Sequence, residues 1–310
     1  MFTSMSPDAP RKATFADWVE GARLRTLPAA LAPVILGTAA AYNLGGFSFT
    51  RAFLALLVAL GLQVGVNYAN DYSDGIRGTD SERVGPLRLT GAGLAKPKTV
   101  LLVALACFSF ASLAGLILLA LSGDWWLIIC GLCAVIAAWF YTGGKRPYGY
   151  LGLGEVMVIV FFGFLATQGT LWTQAHRAPM WSWLAALSVG LLSAALLMVN
   201  NIRDIKTDTL SGKLTLAVRL GDKQARSAYA LMILGAYALG VICALGAGSA
   251  NLNWLGLLIF LPAIFGAFWL IPPVTVRRKT GPELILVLKH TGLYTLVFSL
   301  LLGAAIVAGA

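Results

Sequence analysis

The chain has 310 residues, of which 58% are hydrophobic and only 12% charged. An ordinary soluble domain carries about 25% charged residues, so the long uncharged runs exclude a fold built for water and make the bilayer the solvent. The formal net charge of +10 would suit nucleic acid as a partner, but the basic residues follow the sides of a membrane rather than forming one patch, and no nucleic acid is expected.

A chain in lipid must satisfy its own backbone hydrogen bonds. The apolar runs do not alternate as barrel strands would, so they are read as helices. Residues 1–15 hold Met, Ser, Pro and Arg with no apolar stretch, and read as a flexible N-terminal tail without a cleavable signal. Residues 16–310 read as one transmembrane domain. Nine runs, near 27–43, 53–70, 100–121, 125–141, 153–173, 182–202, 227–247, 253–272 and 284–308, approach the about 20 residues a span needs. The expected fold is all-α, with nine transmembrane helices. Of the 23 Lys and Arg residues, 21 fall on one side and only Arg51 and Arg177 on the other. That bias puts the N-terminus in the cytoplasm and the C-terminus outside, and offers a seat for anionic lipid headgroups.

In chain order, Arg23 and Arg25 precede the first span. The second ends in Asn67, Asn70, Asp71 and Asp74, whose spacing of 3, 1 and 3 predicts one helix face. Asp80 follows Gly75 and Gly78, where the helix is predicted to stop. A long polar segment, 70–99, carries Arg88 and Lys96. The four cysteines, Cys107, Cys130, Cys133 and Cys243, all lie in apolar runs and read as small packing residues, with no disulfide framework and no zinc. The fourth span ends in Tyr141-x-x-x-Lys145-Arg146-Pro147, and Glu155 opens the fifth. An acid at that depth is functional or paired with a base; Lys145 and Arg146 are the candidate partners. The sixth span ends in Asn200, Asp204 and Asp208, spaced 4 and 4, a second predicted stripe. A polar loop over 203–226 contributes Lys213 and Arg219. His290 reads as an interfacial histidine. Of the 13 acidic residues only Asp124 falls on the external side, and a one-sided polar cap suits an enzyme taking a cytoplasmic substrate better than a transporter needing both faces.

Asn70 aligns with Asn200 and Asp74 with Asp204 at an offset of 130 residues. Each set closes an even-numbered span, so both lie on one membrane face, as in parallel repeats that build a site between halves. Carboxylates crowded together need a cation. Mg²⁺ takes one or two carboxylates and completes its shell with water and phosphate oxygens, and Asn adds neutral carbonyl ligands. The alternative is a set of interfacial acids salt-bridged to Arg77, Arg83, Arg203 and Lys206. Lys145 and Arg25, each against a helix end, with Arg146 and Lys213, are the candidate diphosphate cations.

These residues resemble the UbiA superfamily of intramembrane aromatic prenyltransferases. Its nine-helix fold carries one motif of the form N-D-x-x-D-x-x-x-D and a second, D-x-x-x-D. Asn70-Asp71-Tyr72-Ser73-Asp74, Asp204-x-x-x-Asp208 and Tyr141-x-x-x-Lys145 match. The last Asp of the first motif falls on Gly78, with Asp80 two residues later. The strings 70–80, 83–91 and 200–221 resemble the branch that acts on 1,4-dihydroxy-2-naphthoate in menaquinone synthesis. The resemblance implies Mg²⁺-dependent transfer of a polyprenyl group from a polyprenyl diphosphate to that acceptor, with loss of its carboxylate as CO₂, at the cytoplasmic face of the cell membrane. It implies a metal site of Asn70, Asp71, Asp74, Asn200, Asp204 and Asp208, with Asp80 as a further member, the four aspartates other than Asp80 being catalytic. Asn67, Arg25, Tyr141, Lys145, Arg146, Lys213 and Glu155 are the expected substrate-binding residues, and Phe161, Phe162, Trp139 and Phe140 the candidate pocket walls. The alternatives are another aromatic acceptor such as 4-hydroxybenzoate, an ion-coupled secondary transporter, and a CDP-alcohol phosphotransferase, whose D-x-x-D-G opening is matched by Asp71 to Gly75 but whose continuation is not.

Overall fold

The computed structural model describes residues 11–78, 88–248 and 251–310, and the helices pack into a bundle. Most of the tail, residues 1–10, lies outside the described residues. Its last part is tied down: the Ala13 N–H donates to Leu94 O, and Thr14 and Asp17 form a reciprocal capping box that satisfies two orphan amides of the first helix.

Helix α1 (Phe15–Gly21) leads through a short turn into α2 (Leu27–Asn43). There follow α3 (Phe49–Arg77), α4 (Pro97–Ser122) and α5 (Leu127–Phe140), then α6 (Gly154–Ala175), α7 (Met180–Leu210), α8 (Leu216–Gly246), α9 (Trp254–Thr275) and α10 (Glu283–Val307). Among the described residues, eight helical stretches are long and apolar enough to cross a bilayer, and the chain is an all-α, multi-pass membrane protein. The run predicted at 125–141 forms a helix of only 14 residues, about 21 Å long at 1.5 Å per residue, short of a hydrocarbon core about 30 Å thick.

The other departures are of the opposite kind. Helix α3 has 29 residues and α7 and α8 have 31 each, about 44–46 Å, so they run well past a bilayer core. The expected polar loop at 203–226 is therefore helical at both ends, with 211–215 as the connection and a kink at Gly221 in α8. Helix α3 stops at Gly78, as predicted, because that residue takes φ 73, a left-handed cap that glycine adopts without a Cβ penalty.

The main core joins α2, α7, α8, α9 and α10 around Leu36, Leu192, Met198, Tyr229, Phe260, Phe298 and Leu302. A second cluster packs Tyr68, Ala69, Leu89, Val100, Ala104 and Phe108 between α3, α4 and the segment before α4. Helix α6 crosses α7 closely at Gly163 and Gly190: a Cβ on Gly163 would come within 2.8 Å of Ala186 O and of the Gly190 Cα. That crossing falls within Ile159–Leu165, which is π-helical. Along α6, residues 157, 161, 165, 169 and 173 and residues 158, 162, 166 and 170 face one internal cavity. A repeat of four would wind around a helix of 3.6 residues per turn. The wider π turns, with i→i+5 bonding, absorb the mismatch and keep the stripe on one side.

Replacing Gly163 with Val should lower stability by about 1–3 kcal/mol through overpacking at the crossing. Thermal unfolding of the purified protein in detergent measures it, and an unchanged midpoint would remove the close-packing account of this crossing.

Candidate functional site

The cavity measures about 570 Å³ and lies among α2 to α7 with Leu288 of α10. One part is walled by Ala, Val, Leu, Ile and Phe, including Phe161, Phe162 and Leu165 of α6, Leu116 of α4 and Ile128 and Leu132 of α5. The last three are also exposed on the outer surface of the chain, so this apolar part reaches the lipid-facing side. The other end is polar. Its wall takes Arg23, Arg25 and Thr26 before α2, Gln63, Asn67, Asn70 and Asp74 on α3, and Arg88 after it. Tyr141, Thr142 and Tyr148 come from the connection between α5 and α6, and Asn200, Asn201, Arg203 and Lys213 from the end of α7 and just beyond. The two acidic helix ends therefore open into the same space, through Asp74 and Asn70 on one and Asn200 on the other.

Several polar groups of this head have defined partners. Asn67 Nδ2 donates to Ala22 O at 2.9 Å and to Thr26 Oγ1 at 3.2 Å, and Gln63 Nε2 donates to the same hydroxyl at 2.9 Å. Thr142 Oγ1 donates to Asn70 Oδ1 at 2.7 Å. The Tyr150 hydroxyl donates to Asp74 Oδ1 at 2.8 Å, and Arg88 Nη2 lies 3.7 Å from Asp74 Oδ2. The Arg203 guanidinium forks onto both oxygens of Asp204, at 2.7 and 2.6 Å, the bidentate geometry that makes such pairs strong. Lys213 Nζ stands 4.0 Å from Asp208 Oδ1, and Arg25 bonds Glu20 at 3.1 Å. Burial pushes the Tyr148 phenol up from its usual range, which keeps it a neutral hydroxyl on the cavity wall.

Several expected members sit elsewhere. Asp71 does not share the face of Asn67, Asn70 and Asp74: it is 1% exposed and accepts from the Leu89 and Thr90 amides, both at 2.8 Å. A one-residue step turns a helix by about 100°, and that step carries Asp71 off the cavity wall. Asp204 and Asp208 are buried beside the cavity but are not on its wall. Among the described residues no three His, Cys, Asp or Glu side chains gather closely enough to hold one ion, so Asp71, Asp74, Asp204 and Asp208 do not form a single cluster. Asp80 and Arg83 lie outside the described residues. Lys145 and Arg146 are exposed and off the wall, because the turn after α5 directs them outward. Glu155 is 2% exposed and pairs with neither: Asn201 Nδ2 donates to its Oε1 at 2.9 Å. Phe161 and Phe162 line the cavity, whereas Trp139 packs on Tyr72 and Phe140 is exposed. His290 accepts from Trp269 Nε1 at 3.4 Å, an interfacial pair.

The sequence reading missed Tyr150 and placed Arg203 only as a salt-bridge partner. Tyr150 holds Asp74 through its hydroxyl while Arg77 and Lys213 lie over its ring, at 5.4 and 5.2 Å from the centroid, a cation–π arrangement. Arg77 also donates to the carbonyls of Thr142 and Gly144. Tyr150 thus ties the end of α3 to the connection after α7, and Leu214 N donating to Tyr150 O at 3.2 Å closes that link. No spacing in the sequence marks such a residue.

Comparison with known proteins agrees with this arrangement. The chain is 47% identical to a 1,4-dihydroxy-2-naphthoate octaprenyltransferase of Mycobacterium tuberculosis, over 96% of this chain and 99% of that protein. It is 42% identical to the protein of the same description from Escherichia coli, over 70% of this chain and 73% of that one. Its fold matches the structure of a UbiA homolog from Archaeoglobus fulgidus bound to GPP and Mg²⁺, with a TM-score of 0.67 and 15% identity, over 94% of this chain and 99% of the other. The family model for UbiA prenyltransferases matches residues 30–282, and the chain belongs to the UbiA prenyltransferase family.

Proposed function

We propose that the protein transfers a polyprenyl group from a polyprenyl diphosphate to 1,4-dihydroxy-2-naphthoate, in an Mg²⁺-dependent reaction that releases CO₂ and yields demethylmenaquinol, the reduced form of demethylmenaquinone. The observation that carries this reading is a single cavity with a cationic and amide-rich head, an apolar remainder reaching the lipid-facing surface, and both acidic helix ends at its head. The relatives named for this activity support the acceptor.

The donor set at the head suits Mg²⁺. Asp74, Asn70 and Asn200 offer carboxylate and amide oxygens, and no histidine stands on the wall. Mg²⁺ needs only one or two carboxylates and completes its shell with substrate phosphates, so a tight carboxylate cluster is not required. Asp74, with Asn70 and Asn200, would hold the ion from the wall, with Asp204 and Asp208 as the acids of the second helix end. When bound, it neutralises the diphosphate as negative charge builds on the leaving group.

The chain's own residues do the rest. Arg25, Arg88 and Lys213 face the cavity and place positive charge where the diphosphate departs, stabilising the transition state more than the ground state. The apolar wall receives the polyprenyl chain and keeps water from the allylic cation, with the Phe161 and Phe162 rings offering it their faces. The C1–O bond of the donor breaks and a ring carbon of the acceptor bonds C1. The carboxylate on that carbon then leaves as CO₂, its bonding pair restoring the aromatic ring. An arginine of the same wall would orient that carboxylate. Residues 16–310 form one transmembrane domain of nine spans, the 14-residue α5 crossing together with the turns that flank it, and with the N-terminus and the polar head on the cytoplasmic side, in line with the Lys and Arg bias.

Asp74→Ala and Asp204→Ala should each abolish prenyl transfer while leaving the protein inserted in the membrane, and excess EDTA should silence the wild type. Full activity in EDTA would remove the metal from the mechanism. Offered 1,4-dihydroxy-2-naphthoate and 4-hydroxybenzoate at equal concentration with Mg²⁺ and a polyprenyl diphosphate, the purified protein should consume the naphthoate by at least about 100-fold in preference, the discrimination expected when binding groups fit one ligand and are left unmatched by the other. Equal consumption would reassign the acceptor.

A further inference from the structure

We propose that Asp71 is a positioning residue rather than a metal ligand: it fixes the backbone after residue 87 so that Arg88 stands at the cavity head beside Asp74. The inference deepens the reading of the site as one that takes a prenyl diphosphate, and rests on it.

The geometry is specific. Both Asp71 oxygens are engaged, Oδ2 by Leu89 N–H and Oδ1 by Thr90 N–H, each at 2.8 Å. Consecutive amides converging on one carboxylate form a backbone nest for an anion, and charge-assisted bonds of this kind are stronger than neutral ones. The segment is held on two further sides. Leu89 is fully buried against Tyr68, Ala69 and Phe108. Thr90 lies over Gly75, where an added Cβ would come within 2.4 Å of the threonine Cγ2. Arg88 is the residue that this anchored stretch delivers. It is 8% exposed, on the cavity wall, with Nη2 3.7 Å from Asp74 Oδ2. Asp71 itself is not on that wall. The two acids, three residues apart on α3, therefore divide the work. Asp74 is on the wall of the substrate space, and Asp71, about 60° around the helix and off that wall, sets where a phosphate-binding guanidinium stands.

The test is a double-mutant cycle on the purified full-length protein, with farnesyl diphosphate, 1,4-dihydroxy-2-naphthoate and varied Mg²⁺. Asp71→Asn keeps one acceptor oxygen and loses the charge and the second. It should raise KM for farnesyl diphosphate by about tenfold and leave the Mg²⁺ concentration for half-maximal activity unchanged. In an Arg88→Ala background the same substitution should change KM by less than about twofold, because residues acting through one another are not additive. A raised Mg²⁺ requirement with unchanged KM, or independent losses in the cycle, overturns the proposal. Thr90→Pro removes one donor without touching the carboxylate and should move KM in the same direction; an unmoved KM again overturns it. Backbone hydrogen exchange over 88–91 gives a readout independent of activity: faster exchange in Asp71→Asn supports the anchor, and unchanged exchange refutes it. A wild type without prenyl transfer would instead count against the proposed function, and the exchange measurement would still decide the anchor.

Discussion

Charge buried at the head of an apolar bundle must be answered by neighbouring groups, since lipid and packed helices offer no water to do it. Each acid near the cavity has at least one such partner. Asp71 takes two backbone amides, Asp74 a phenol and a guanidinium, Asp204 a bidentate arginine, Asp208 a lysine and Glu155 an amide. Arg203 and Lys213 are close in sequence to their acids, but Tyr150 joins the end of α3 to the connection after α5, and Asn201 joins α7 to the start of α6. The polar head is thus both the structural knot on this side of the bundle and the most strongly charged surface inside the cavity. Residues fixed in this way cost little reorganisation when charge develops on a bound ligand, which is the condition for electrostatic catalysis.

Much of the fold could be read from the residues because a bilayer leaves few options. Long uncharged runs had to be helices, and the positions of eight of them agree with the structure. What polarity could not distinguish was a loop from a helix continuing past the membrane. The stretch 203–226 is rich in Asp, Lys and Thr, yet most of it is helical, because backbone hydrogen bonding persists wherever side chains permit it. Composition reports the solvent around a segment, whereas helix ends are set by caps, and here Gly78 was the one end that the sequence announced.

The candidate site divides along similar lines. Spacing correctly put Asn67, Asn70 and Asp74 on one face, because residues three and four apart lie together. It also put Asp71 there, since a stripe about 100° wide cannot separate adjacent residues. Which of the two faces inward depends on the segment around Leu89, a contact 18 residues distant. Lys145 and Arg146 stand off the cavity wall for a related reason: adjacency to a helix end in sequence does not give the direction of the turn that follows. Tyr150 was passed over because it gains its role from partners that only the folded chain assembles. The π-helical stretch in α6 was equally hidden, since nothing in Ile159–Leu165 departs from an ordinary apolar run.

That π stretch shows how the head and the apolar cavity are joined. Glu155 begins α6 and bonds Asn201 of α7, fixing one end of the helix at the polar head. Gly163 against Gly190 fixes its middle, with no room for a side chain at the crossing. Between these two anchors an ordinary α-helix would rotate its inward stripe away from the cavity. The wider turns take up the extra residue and leave Phe161, Phe162 and Leu165 facing the same space as Asn200 and Asn201. The constraint that buries Glu155 and the crossing that packs α6 on α7 together require the irregular segment. Its consequence is a largely apolar wall starting next to the charged head. For a ligand that joins a diphosphate to a hydrocarbon chain, the bond between the two parts would then sit at that boundary, with cations on one side and a dry wall on the other.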